Sequence, residues 1–190
     1  MVKSLESTVL TDLDLIQKTK EGDQSAFTEI VRRYKSSVAA TINGMIGKCD
    51  DADDIGQEVF IRFYKALDNF RGESALGTYL TRIAINLSLN EIKRRKIRRL
   101  LSFEKMQEEG SDIMDTNNRN DFNNTKDIIQ NAIQKLNEKY RSVLVLRLID
   151  EYSTDQTAQI LNLPIGTVLS RLARAQMKLK DYLKPYLAEL

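Results

Sequence analysis

The 190-residue chain has no histidine and no tryptophan, and only one cysteine, two prolines and eight glycines. Without histidine there is no imidazole base, no His-bearing zinc site and no Ser-His-Asp arrangement. The lone Cys49 excludes an intrachain disulfide and a cysteine-cluster metal site, and reads as a small, semi-buried residue. So few glycines and prolines leave little for hairpins, which argues against sheet and for an all-α chain. The first fifteen residues carry acids where a signal peptide needs an apolar stretch. No apolar run approaches the ~20 residues that span a bilayer, and the run at 143–146 stops at Arg147. A cytoplasmic protein without membrane insertion is expected.

What is present is a workable core and a segregated charge pattern. Hydrophobic residues make up 42% of the chain and charged residues 29%, enough for one medium domain or two small ones. The net charge is only +2, so position matters more than total. Residues 91–99 (EIKRRKIRR) hold six basic groups and one acid, and residues 163–190 hold five basic and two acidic. Between them, residues 101–124 hold two basic groups and six acids, carry an Asn cluster and lack apolar periodicity. That stretch reads as a flexible linker, too long for an ordinary loop in one compact domain. The expected organisation is two small helical domains, 1–100 and 125–190, moving independently about 101–124.

Apolar residues recur at helical spacing through both parts. In the first, Asp12 is the expected N-cap of an opening helix. Ala26, Phe27, Ile30, Val31, Tyr34, Val38 and Ile42 mark the next, and Ile55, Val59, Phe60, Phe63 and Leu67 a third. A loop at 70–76 (FRGESAL) precedes a helix that carries Leu80, Ile83, Ala84 and Leu87 into the basic block. In the second part four helices are expected. The third opens on a Ser153–Gln156 capping box, and the fourth follows Asn162-Leu163-Pro164.

Three constellations carry candidate chemistry. The last two helices read as a helix-turn-helix, with Asn162 able to adopt the left-handed turn conformation. On the final helix Val168, Leu172, Ala175 and Leu179 form one stripe, and Thr167, Arg171, Arg174 and Lys178 another that can meet phosphates and base edges. A solvated basic face is the competing explanation; the turn chemistry and one-sided cations favour DNA. Second, Phe70, Arg71, Tyr79, Arg82 and Asn86 precede the basic track Lys93, Arg94 and Arg95, a mixture suited to unstacked single-stranded bases. Ordinary core packing of Phe70 and Tyr79 is the rival reading. Third, Asp50, Asp51, Asp53, Asp54 and Glu58 could hold Mg²⁺ or act as acid and base. Asp near a helix start is also favoured by capping and the helix dipole, and no nucleophile or phosphate loop accompanies the cluster, so a docking face is preferred to a catalytic one.

The stretches 51–60 (DADDIGQEVF), 66–74 (ALDNFRGES) and 78–86 (TYLTRIAIN) resemble region 2 of bacterial RNA polymerase sigma factors of the extracytoplasmic-function (ECF) group. Residues 163–175 (LPIGTVLSRLARA) resemble their region 4. The resemblance implies a non-enzymatic subunit, with neither cofactor nor metal, that binds core RNA polymerase and directs it to promoters. It implies polymerase contacts at Asp53, Asp54, Gln57, Glu58 and Phe60, against the β′ coiled coil. It implies −10 contacts at Phe70, Arg71, Ser74, Tyr79, Arg82, Asn86, Lys93, Arg94 and Arg95. It implies −35 contacts at Thr167, Ser170, Arg171, Arg174 and Lys178. Apolar residues of 139–149 would meet the β flap, and an anti-sigma factor, membrane-bound in some systems, is an implied partner. Tyr79 stands where the family usually has Trp, Leu169 where it usually has Lys or Arg, and Gly56 where a larger residue is commoner. The alternative is a free-standing helix-turn-helix regulator, which would leave Asp53, Gln57 and Phe60 without purpose.

Overall fold

The computed structural model describes residues 10–108 and 125–187, with side chains over 10–102 and 125–186. Eight α-helices occur among the described residues, and no strand. The first part holds α1 (Asp12–Lys20), α2 (Gln24–Ile46), α3 (Asp50–Lys65), a 3₁₀ turn (Leu67–Asn69) and α4 (Leu76–Glu108). The second holds α5 (Thr125–Lys135), α6 (Glu138–Leu144) continuing into a π-helical turn (Val145–Ile149), α7 (Thr154–Leu161) and α8 (Ile165–Leu187).

Local chemistry explains most boundaries. α1 starts one residue earlier than expected: Thr11, not Asp12, is the N-cap, and its hydroxyl and backbone form a reciprocal capping box with Asp14. The Thr11 bonds hold the Asp14 carboxyl below its ordinary value. Asp23 caps α2 through the amides of Ser25 and Ala26. The expected Ser153–Gln156 box opens α7, and Asn162 closes it at φ 51°, ψ 53°, left-handed as the turn requires. Helix α4 runs through residue 108, so 101–108 of the segment read as linker are helical; 109–124 lie outside the described residues.

In the first part Ile30, Val38, Ile42, Val59, Phe63 and Leu80 are buried between α2, α3 and α4. In the second, Ile133, Leu136, Leu144 and Ala175 form one cluster, and Val143, Ala158 and Val168 fill the angle between α6, α7 and α8. The periodicity did not foreshadow how the parts meet. Val145, Leu146 and Ile160 of the second part belong to the core of the first. The backbone of α2 approaches the π turn through Gly44, where an added Cβ would lie 2.9 Å from both methyls of Val145.

Candidate nucleic-acid interface

The start of α4 and the loop before it build a cleft. Gly72 turns the loop at φ 70°, a conformation suited to glycine. Phe70 and Tyr79 meet edge to face at 5.1 Å, and both meet Phe63, at 6.0 and 6.1 Å. Each is half-buried, so the aromatic pair is partly core and partly the wall of a cavity of about 470 Å³. That cavity is lined by residues 69–74, Tyr79, Arg82 and, from the second part, Gln159. Arg71 and Glu73 stand exposed at its mouth, 4.0 Å apart, an ion pair of little energetic weight. Asn86 is exposed one helical turn beyond Arg82. The Arg82 guanidinium donates to the Gln159 carbonyl at 3.1 Å, while its Nε is buried without a hydrogen-bond partner. Gln159 was not among the candidates; nothing in its local sequence marks it.

The basic track is less free than its composition suggests. Glu91, the one acid in the block, is 6% exposed and accepts from Arg94, Arg95 and Arg98 at 2.7, 3.0 and 2.9 Å. Arg95 also bonds Asp51 at 2.7 Å and the Ile46 carbonyl, tying α4 to the start of α3. The Arg95 bond holds the Asp51 carboxyl below its ordinary range. Thus half-buried Arg95 is tied into this network, Arg94 joins it from an exposed position, and Lys93 stands exposed beside them. The spacing of Glu91 to Arg94, Arg95 and Arg98, one to two helical turns, is the signal that could have shown this.

Helix α3 presents Asp53, Asp54 and Gln57 to solvent. Glu58 is half-buried and pairs with Arg62 at 2.7 Å. Phe60 is only 9% exposed and packs in the core. Ile61 and Tyr64, beside it, are 46% and 53% exposed; these were not among the candidates.

Helices α7 and α8 form the expected helix-turn-helix. Leu163 N–H donates to the Ala158 carbonyl at 2.9 Å across the turn. Val168 and Ala175 are fully buried, with Leu172 and Leu179 packed beside them. On the other side Ser170, Arg174 and Lys178 are exposed, and Thr167 and Arg171 half-buried. Leu169 is 53% exposed. A hydrogen bond with Arg174, with Lys139 and Lys178 nearby, lowers the Tyr140 phenol from its ordinary value. Of the aliphatic residues in 139–149, positions 143–146 are buried, and Leu148 and Ile149 are exposed.

An aromatic-walled cleft and a helix-turn-helix thus lie on one chain. Residues 30–98 match the family model described as Sigma-70 region 2, and residues 126–179 match that of Sigma-70, region 4. The chain is 38% identical over 180 residues to the ECF RNA polymerase sigma factor SigW of Bacillus subtilis (strain 168), covering 89% of this chain and 95% of that relative. The chain belongs to the ECF sigma factors of RNA polymerase. This sigma factor is also 33% identical over 184 residues to the ECF RNA polymerase sigma-E factor of Escherichia coli (strain K12), covering 93% and 96% of the two chains. Its fold is shared with CnrH, solved in complex with the cytosolic domain of CnrY, at a TM-score of 0.65 and 23% identity over 92% of this chain and 97% of that one. It is shared too with the sigma factor RpoE of Bartonella quintana, solved with the anti-sigma factor NepR, at 0.64 and 22% over 83% and 96%. A sigma factor directs RNA polymerase to promoters, and regions 2 and 4 are both accounted for in this one. No helix among the described residues is long and apolar enough to cross a membrane.

Proposed function

We propose that this sigma factor divides its work by surface, with no catalytic chemistry of its own. In this reading residues 1–100 carry polymerase and −10 binding, 125–190 carry −35 binding, and 101–124 connect them. Asp53, Asp54 and Gln57 dock on core polymerase; Glu58 shapes that face, and Phe60 supports it from within the core. Phe70, Arg71, Ser74, Tyr79, Arg82 and Asn86 handle the unpaired −10 strand. Lys93, Arg94 and Arg95 contribute phosphate contacts, and Arg95 also holds α4 against α3. Ser170, Arg171, Arg174 and Lys178 meet the −35 duplex, with Thr167 at the start of the reading face. The protein acts in the cytoplasm, where polymerase and promoters are, and an anti-sigma protein restrains it there.

The observation that carries the reading is the cleft. Its volume of about 470 Å³ falls in the range of small-ligand sites. Its wall is a half-exposed aromatic pair on which a base can stack, and an amide, a guanidinium and a hydroxyl stand at or near its rim. The free-standing regulator is disfavoured because it has no use for this cleft or for the exposed acids of α3. The test is permanganate footprinting of open complexes made with core polymerase and the Asn86→Ala variant. We expect a weaker bubble and altered base preference in the −10 strand, with −35 duplex binding unchanged. An unchanged bubble on every promoter variant would remove Asn86 from the site.

A further inference from the structure

The contact between the two parts depends on a glycine placed inside a helix. Gly44 lies inside the 23-residue helix α2, where glycine is less favourable than alanine. Its missing Cβ is needed only because Val145 of the π turn sits against the helix backbone. The carbonyls at the end of α2 have no full set of partners within the helix. Here they accept from the other part: Asn43 from Gln130 at 2.6 Å, Gly44 from Gln134 at 2.9 Å, and Met45 from the buried Arg141 guanidinium. Region 4 therefore caps a region 2 helix. Thr41 meets Asp150 at 2.7 Å, Thr81 meets the Tyr152 hydroxyl at 2.9 Å, and Lys96 pairs with Glu138 at 2.9 Å.

The same packing covers surfaces that transcription needs. Val145 and Leu146, within the segment the resemblance assigns to the β flap, are buried against region 2. Gln159 lines the cleft beside Phe70 and Tyr79, and its carbonyl holds Arg82.

We propose that this closed packing is an autoinhibitory contact built into the chain, in which region 4 caps the end of α2, borders the −10 cleft through Gln159 and ties up Arg82 there until the two regions separate. It rests on the assignment of that cleft to the −10 strand, and it requires no second protein. A binding-competent state populated at about one part in ten weakens apparent affinity about tenfold.

The test uses the full chain with spin labels at Lys35→Cys and Met177→Cys, both exposed sites, in a Cys49→Ser background. Affinity is read in parallel with a fluorescent, short, single-stranded DNA pool of randomised sequence. We expect one narrow distance and weak binding in the parent. Gly44→Ala, which drives a Cβ into Val145, should broaden and lengthen the distance and tighten binding about tenfold. Adding Val145→Ala removes both clashing methyls and should restore the parent distance and affinity. Circular dichroism guards against misfolding, since alanine favours helix α2. A broad distribution in the parent, an unmoved distance in Gly44→Ala, or a moved distance with unchanged affinity would each overturn the proposal. Asn86→Ala in the opened variant separates the two readings. If opening tightens binding and Asn86→Ala does not weaken it, the role of Asn86 in the −10 site fails and closure stands.

Discussion

Asp150 should make the closed state lose stability as pH rises from mild acid toward neutrality. Its carboxyl is largely buried at the junction of the two regions, and burial pushes it up to about 6 against the opposing Thr41 hydrogen bond. The local geometry gives an independent reason. The Thr41 hydroxyl lies 2.7 Å from Asp150 Oδ2 and 3.1 Å from the Ser37 carbonyl, and it has one hydrogen to donate. When Asp150 is ionised both neighbours compete for that hydrogen. A protonated Asp150 donates to Thr41, and Thr41 donates to Ser37, so every group is satisfied. The Tyr152 phenol beside it is raised by burial and stays neutral throughout this range. Between the ordinary 3.8 and about 6, the closed chain holds a proton that the unfolded chain has released. Stability from this group is therefore greatest below about pH 4, falls as pH rises through 6, and is level above. At about 1.4 kcal/mol per pH unit the full gap is worth about 3 kcal/mol, and partial exposure of the carboxyl reduces the expectation to about 2 kcal/mol. Asp150→Asn keeps a donor toward Thr41 and cannot ionise. Urea unfolding of parent and variant across pH 4 to 7 should show the variant gaining about 2 kcal/mol relative to the parent with rising pH. Carboxylates held low, such as Glu29 at about 2 beside Arg32 and Arg33, lose their contribution only in stronger acid and cancel in the difference. Parallel curves, or a variant less stable than the parent at pH 7, would refute the reasoning.

Asp53→Arg, at an exposed position of α3, should change unfolding free energy by less than about 0.5 kcal/mol while weakening core polymerase binding at least ~10-fold; equal affinity by titration at moderate salt would count against α3 as the docking helix. Lys178→Ala should weaken all −35 duplexes alike and lower the log-salt slope by about 1, whereas Arg171→Ala should flatten preference at particular positions in selection from a randomised pool. Gly56→Ala should stabilise the protein by about 1 kcal/mol in urea unfolding, because a Cβ there meets only Ile42, at 4.0 Å. The same substitution at Gly44 is expected to open the molecule, so the two glycines separate helix propensity from domain packing.

The helix-turn-helix was legible because its signals are local. Ser153 and Gln156 sit three apart, Asn162 is placed at the turn, and the Val168, Leu172, Ala175 and Leu179 stripe matches the observed buried face. Around the cleft, Phe70 and Tyr79 are at once wall and core, which sequence spacing does not distinguish. Phe60 went inward because it borders the Ile55, Val59 and Phe63 stripe on the buried side of α3. The basic block is a free cationic track by composition alone, whereas in the fold Glu91 gathers three of its arginines. The domain contact left no periodic trace, since its bonds join residues from 42 to 109 positions apart. Its marks in the sequence are a glycine inside a long helix and an aspartate closing an apolar run.

Run-off transcription decides whether this chain acts as a promoter-specificity subunit. Purified core polymerase would be incubated with and without the protein on a library of genomic fragments. Discrete transcripts are expected only with both components, and Asp53→Arg should reduce them. Specific duplex binding by the protein alone, with no transcript above the core-only background on any fragment, would contradict that role.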